Sequence, residues 1–422
     1  MSNLGLHLSA DSSIERPSTR SVRVAVVLIL PFTENDYPKM DILELLAGGA
    51  IIDVIDLSAY LYPGNDFKTH RGPMPEGIDY HLISTAEELQ GVSNILALAD
   101  FILCGATSGH LNQKNLDIMR LVSQAPAPYM IIYRNAIPVI DRAHFRASFN
   151  QRLKLFNLRN SIMNRAPLAL LGVKPADYVV YGGDASRISM RLISDKTTDI
   201  WSYAESYEHY KSERAANPCL PTNQTAVFLD QNIGYHPDNS EHGLANSVDP
   251  EMVYPNLRRW FDLVEAKTGL RIIVAAHPRA NYDAHPGIFG DREIRYGEAA
   301  KLVHASSLVM TFYSTAVNLG VLFGKPISVL YVPELMNMGM GDASDALAET
   351  IGTSAIDISQ LDGLVWPDIM RFDSNAYRRF IERYIRSEKS TGENIAEIVF
   401  ELHHMQSAAQ PAMPNHAGEH AQ

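Results

Sequence analysis

The chain has 422 residues, 46% of them hydrophobic and 20% charged, with a formal net charge of −12. That length exceeds what one hydrophobic core usually serves, so two domains are expected. The acidic balance argues against a nucleic-acid binder that relies on phosphate neutralisation; the only cysteines, Cys104 and Cys219, fit a reducing cytoplasm and cannot build a disulfide framework, and no apolar run is long enough to span a bilayer.

Residues 1–21 are polar and read as a disordered tail. Val22–Leu30 is an almost wholly apolar strand of the kind that opens a parallel sheet, and Pro31 ends it. Ile42–Asp56 reads as a helix followed by a short strand around Gly48-Gly49. Phe101–Cys104 is a buried strand that places Cys104 in a core and leads into a glycine-bounded loop, 105–109. Leu111–Ser123 is helix-like, and Tyr129–Tyr133 is the next strand. A helical stretch, Phe145–Asn164, precedes a strand at Tyr178–Tyr181 and then Gly182-Gly183-Asp184-Ala185-Ser186. Residues 213–225 are polar with two prolines and read as a linker.

A second strand–helix alternation starts at Ala226–Leu229. Val253, Leu257, Trp260, Phe261 and Val264 fall on one face of a helix that Gly269 ends. Arg271–Ala276, Leu308–Phe312 and Ile327–Tyr331 are apolar strands, with helices at Glu298–Ala305 and Ala316–Phe323 between them. Gly320 to Pro326 imitates a P-loop but is one residue short, and Pro326 replaces the hydroxyl residue that reaches magnesium, so a helix-ending turn is the better reading. Residues 406–422 read as a second disordered tail. The fold class is therefore α/β, with two Rossmann-like domains facing a cleft at 22–212 and 226–405.

Three strand ends in the second half carry polar groups: Asp230, His277-Pro278-Arg279, and Tyr313-Ser314-Thr315. If their strands are parallel neighbours, all three face one carboxyl edge, where ligands of open α/β sheets bind. Ser314 and Thr315, at a strand end and on the first turn of a helix, form an anion site in company with orphan backbone N–H groups. Each group also has a plainer reading. Asp230-Gln231-Asn232 is good turn chemistry, His277 suits any strand end, and Ser314 and Thr315 suit a helix cap. No Asp-x-Asp pair, Gly-x-Ser-x-Gly elbow or His-Glu-x-x-His helix occurs. His236 to His242 contains ligand-type residues, but turn chemistry explains the segment better than a metal site.

The order of an acidic motif (FLDQNIG, Asp230), His277-Pro278 (AAHPRA) and Ser314-Thr315 (TFYSTA) resembles the bacterial GT-B sialyltransferases, polysialyltransferases and Kdo or nonulosonate transferases of surface-polysaccharide biosynthesis. The resemblance covers residues 225–332. It implies a GT-B fold with the donor on the second domain and the acceptor on the first. It implies an inverting, metal-independent transfer of a sialic-acid-like or Kdo sugar from a CMP-sugar to a surface glycan, with no cofactor. In that family an acidic side chain is the general base, the His-Pro histidine acts on the departing phosphate, and the hydroxyl pair holds it. The corresponding residues are Asp230, His277 with Pro278 and Arg279, and Ser314 with Thr315. The family shows two acids before a glycine where this chain has Asp230-Gln231-Asn232-Ile233-Gly234, so Asp238 is a second candidate base. A cytoplasmic enzyme is implied, with nucleotide sugar and glycan as partners, no nucleic acid, and room for a peripheral contact with the inner membrane. The alternatives are a UDP-sugar transferase or non-hydrolysing 2-epimerase of the same architecture, and a non-catalytic sugar-nucleotide-binding assembly subunit.

Overall fold

A computed structural model describes residues 21–63, 74–105, 113–138, 165–218, 223–235, 248–338, 340–362 and 366–409. Residues 1–20 and 410–422 of the expected tails, most of the 105–109 loop, the 145–164 helix, Cys219 and Asp238 lie outside the described residues, while 406–409 of the second tail are helical.

The first domain holds strands β1 (Arg23–Leu28), β2 (Ile51–Asp56), β3 (Ile78–Leu82), β4 (Phe101–Cys104), β5 (Tyr129–Tyr133), β6 (Tyr178–Tyr181) and β7 (Thr198–Trp201). They form one parallel sheet in the order β3-β2-β1-β4-β5-β6-β7. Helices α1 (Ile42–Ala47), α2 (Ser58–Leu61), α3 (Ala86–Leu96) and α4 (Gln113–Gln124) connect the strands. Alternation along β1 builds two cores. Ala25 and Val27 meet Leu89, Val92 and Leu96 of α3 and Leu116, Met119 and Val122 of α4, while Val24 and Val26 meet Ile42 and Leu45 of α1.

The second domain repeats the plan. Strands β8 (Thr225–Leu229), β9 (Arg271–Ala276), β10 (Glu293–Tyr296), β11 (Leu308–Thr311), β12 (Ile327–Tyr331) and β13 (Ile356–Asp357) form a parallel sheet ordered β10-β9-β8-β11-β12-β13. Its helices are α5 (Glu205–Ala216), α6 (Pro250–Thr268), α7 (Ala299–Ala305), α8 (Val317–Leu322), α9 (Met340–Thr350) and α10 (Ser374–Phe380). Ala226 and Phe228 of β8 pack on the apolar face of α6, where Trp260 and Phe261 are fully buried. Val227 and Leu229 point to the other layer, with Val303, Val317 and Phe380.

Two helices sit on the opposite domain from the one their sequence position suggested. Helix α5 follows β7 directly and ends within the first residues of the expected linker, and its half-buried Tyr207 and Tyr210 pack against the core of the second sheet. The last helix, α11 (Ile395–Ala409), returns to the first sheet and inserts Ile395, Ile398 and Val399 beside Val24 and Val26. Of the expected linker 213–225, residues 213–216 form the end of α5 and 219–222 lie outside the described residues.

The chain thus crosses between domains twice, at 202–204 and at 387–394, and the crossings are bonded together. The Ser202 hydroxyl donates to the Glu393 carbonyl at 2.6 Å, and the Ala204 N–H donates to Ile385 O at 2.7 Å. Asp184 accepts from the Ser387 hydroxyl and the Lys389 ammonium. Gly183 lies against the backbone of Arg383 and Tyr384, where a Cβ would collide with both, which explains why this segment needs glycine. Arg134 and Asp41, both buried, form an ion pair at 2.8 Å, and Asp41 also accepts the Ile395 N–H at the start of α11. Among the described residues, no helix is long and apolar enough to cross a membrane.

Candidate functional site

Strands β9, β8 and β11 are consecutive in the second sheet and all parallel. Asp230, His277-Pro278-Arg279 and Tyr313-Ser314-Thr315 therefore end neighbouring strands on one carboxyl edge. Chain order reverses between β8 and β11, so Asp230 and the hydroxyl pair flank the crevice where open α/β sheets bind ligands.

The loops on that edge are stitched to each other. The Gln231 side-chain oxygen accepts the Tyr313 N–H at 2.6 Å, across the switch point. Asp230 is 6% exposed and accepts the Asn232 N–H on Oδ1 at 3.0 Å. Its Oδ2 accepts the His277 N–H at 3.0 Å and the Tyr282 hydroxyl at 2.6 Å. Burial pushes the Asp230 carboxyl above its ordinary value, and the donors around it pull in the opposite direction. Asn232 holds a left-handed backbone at φ 52° and Gly234 another at φ 83°, a sharp turn that asparagine and glycine tolerate best.

His277 is half-buried, Pro278 is exposed and Arg279 is half-buried. The His277 Nδ1 accepts the Arg279 N–H at 3.2 Å. In the neutral ring this puts the proton on Nε2, so that nitrogen is the one able to donate to an anion.

Ser314 and Thr315 stand on a turn ahead of α8, not in its first turn as the apolar pattern suggested. The helix starts at Val317, after Ala316, and ends at Leu322. Ser314 Oγ accepts the Ala316 N–H at 3.2 Å and its carbonyl accepts the Val317 N–H. The serine hydroxyl thus serves the turn and still has its own proton to donate. Thr315 is exposed. Beside them, the Tyr313 hydroxyl donates to the Pro138 carbonyl at 2.8 Å. Burial raises Tyr313 to about 12, so this hydroxyl keeps its proton. Pro138 follows β5 and Tyr313 follows β11, so the carboxyl edges of the two sheets meet at this bond. At the far end of α8, the Gly324 N–H donates to Val321 O and the Lys325 N–H to Gly320 O, the helix-ending turn that had been read in place of a P-loop.

The structure thus gathers Asp230, His277, Pro278, Arg279, Ser314 and Thr315 on one edge, while Asp238 lies outside the described residues. Three contributors were not singled out from the sequence as site residues in their own right. Gln231 occupies the place of the family's second acid, and Tyr313 directly precedes the hydroxyl pair, so both had a positional signal. Tyr282 had none, because it lies in an irregular loop beyond His277 where no periodicity operates.

No family model matches the chain, and no curated protein matches it. Solved structures do resemble it. The wall teichoic acid polymerase TagF aligns over 92% of this chain and 90% of its own, with a TM-score of 0.52 and 10% identity. The calicheamicin glycosyltransferase CalG4 aligns over 93% and 100%, with a TM-score of 0.49 and 10% identity. The UDP-GlcNAc 2-epimerase from Methanocaldococcus jannaschii aligns over 91% and 100%, with a TM-score of 0.43 and 11% identity. Identities this low speak for fold alone, and with the two Rossmann-ordered parallel sheets they give the chain a GT-B-like architecture.

Proposed function

We propose that the chain is an inverting glycosyltransferase that moves a sialic-acid-like (nonulosonate) or Kdo sugar from a CMP-sugar donor to a surface-glycan acceptor. The observation that carries the reading is the edge of the second sheet. A histidine with its Nε2 proton fixed and two hydroxyl residues stand on adjacent strand ends around the switch point. That set suits a single phosphate leaving with its nucleotide. Donation from Nε2–H and the hydroxyls offsets the charge that develops on the phosphate oxygen, which a CMP leaving group needs most in the transition state. In this mechanism no metal ion is required. Direct displacement by an acceptor hydroxyl inverts the anomeric centre, and a carboxylate reaching into the cleft takes the acceptor proton.

Support for a cytidine nucleotide comes from two sides. The motif order resembles CMP-sugar transferases, and one of the similar TagF structures was determined with CDPG, at a TM-score of 0.50. In this reading the chain works in the cytoplasm, at the inner-membrane face where a lipid-linked acceptor would be presented.

Thermal stabilisation by nucleotides is the first test, followed by turnover with CMP-activated sugars. Stabilisation by CMP or CDP but not UDP, with CMP released from a CMP-sugar in the presence of acceptor, is the expected result. Stabilisation by UDP alone would turn the assignment to a UDP-sugar transferase or 2-epimerase. Cytidine-nucleotide binding with no turnover on any acceptor would make the chain a binding subunit.

A further inference from the structure

The resemblance makes Asp230 the general base, and its surroundings give it other work. A carboxylate offers about four lone-pair positions. Here three are taken, by the Asn232 N–H of its own loop and by the His277 N–H and Tyr282 hydroxyl of the next loop. A base must present an open lone pair to a hydroxyl arriving from the cleft. Asp230 is buried beneath the edge, and its neighbours are donors, each already committed to it.

Tyr282 anchors the lower side of this set. It is 4% exposed, and its ring packs edge-on against Phe289 at 4.9 Å, as does the ring of Tyr254 at 5.4 Å. Tyr254 in turn donates to the Ile233 carbonyl in the loop after β8. The loops after β8 and β9 are therefore pinned to one buried centre. His277 is fixed twice over: its N–H is held by Asp230, and its Nδ1 is held by the Arg279 N–H.

We propose that Asp230 and Tyr282 are positioning residues that hold the His277 loop in the register at which Nε2–H meets the departing phosphate, and that the acceptor's base is another carboxylate. This rests on the nucleotide-phosphate site proposed above. A second carboxylate of this molecule, Asp56, makes the same set of bonds in the first domain, on a loop that carries no such histidine.

The experiment compares wild type, Asp230→Asn and Tyr282→Phe in hydrogen exchange at the His277 amide, CMP affinity by calorimetry, and the pH profile of turnover. An amide at position 230 turns an N–H₂ toward donors, and phenylalanine at 282 removes one donor. Both variants should exchange the His277 amide faster, and Asp230→Asn should bind CMP roughly 10-fold or more weaker, the scale of a lost hydrogen bond to a charged group. The acidic limb of the kcat profile should persist in both, because the base is still present. Unchanged CMP affinity in Asp230→Asn, with loss of kcat and of the acidic limb, would restore Asp230 as base and overturn the proposal. Should Asp230→Asn not fold, Tyr282→Phe decides: exchange and CMP affinity both at wild-type values overturn it. A wild-type chain that binds no cytidine nucleotide would remove the site and this role together, and that outcome is visible before any variant is made.

Discussion

Asp56 and Asp230 are the same device used on two sheets. Asp56 ends β2, accepts the Ser58 N–H on Oδ1 at 2.9 Å, and on Oδ2 takes the Phe32 N–H at 2.9 Å and the Tyr80 hydroxyl at 2.8 Å. Asp230 follows β8 and takes the N–H two residues ahead on Oδ1, with a neighbouring loop's N–H and a tyrosine hydroxyl on Oδ2. Both carboxylates clasp the loop leaving an adjacent parallel strand. The difference lies in what is clasped. In the first domain it is Phe32, fully buried among Tyr37 and Tyr80; in the second it is His277, half-buried at the edge of the switch point. An acid at a strand end is thus weak evidence for a base, and the residue whose backbone it holds says more about function.

Four outcomes would break or sharpen that contrast. Phe32→Ala should cost about 3–5 kcal/mol of stability in urea unfolding, as a fully buried aromatic does, with nucleotide affinity of the folded protein unchanged. A weakened CMP site in that variant would mean the first clasp also serves the ligand. His277→Ala should do the opposite: turnover falls about 100-fold, or about 2.7 kcal/mol, with weaker donor binding and little change in melting temperature. Wild-type turnover in that variant would leave the second clasp as scaffolding only.

Replacing Ser314 and Thr315 together by alanine should weaken CMP binding by about 1–3 kcal/mol, read by calorimetry. If affinity holds while stability drops, the hydroxyls cap the turn and do nothing else. The smallest effect concerns Asp184, a carboxylate at the surface. Its pKa is lowered: desolvation opposes, but the hydrogen bonds from Ser387 and Lys389 prevail. A depressed carboxyl contributes stability above its unfolded pKa of about 3.9 and loses it as pH falls through the lower folded value. With its side chain 40% exposed, solvent screening keeps this below about 1 kcal/mol. Unfolding at pH 6 should separate wild type from Asp184→Asn by that small amount, and the gap should close toward pH 3. A gap independent of pH would show that the carboxylate's charge is irrelevant to the interdomain crossing.

The amino-acid sequence by itself determined the central strands. β1, β4, β5, β6, β8, β9, β11 and β12 are buried on both faces, so they stand out as unbroken apolar runs, and several begin and end where the runs do. It also determined the order of polar groups at the strand ends, since those follow directly from where the runs stop. The edge strands β3, β7, β10 and β13 left no such trace. Each has an open side and a mixed sequence, such as the EIRY of β10, which pairs only because β9 offers it a ladder. Only the tertiary structure decided which domain α5 and α11 pack on, because a half-buried amphipathic helix carries no label for its partner sheet. It alone placed Tyr282 beneath Asp230. A carboxylate's role depends on which donors already occupy its lone pairs, and those donors come from loops up to 52 residues away along the chain.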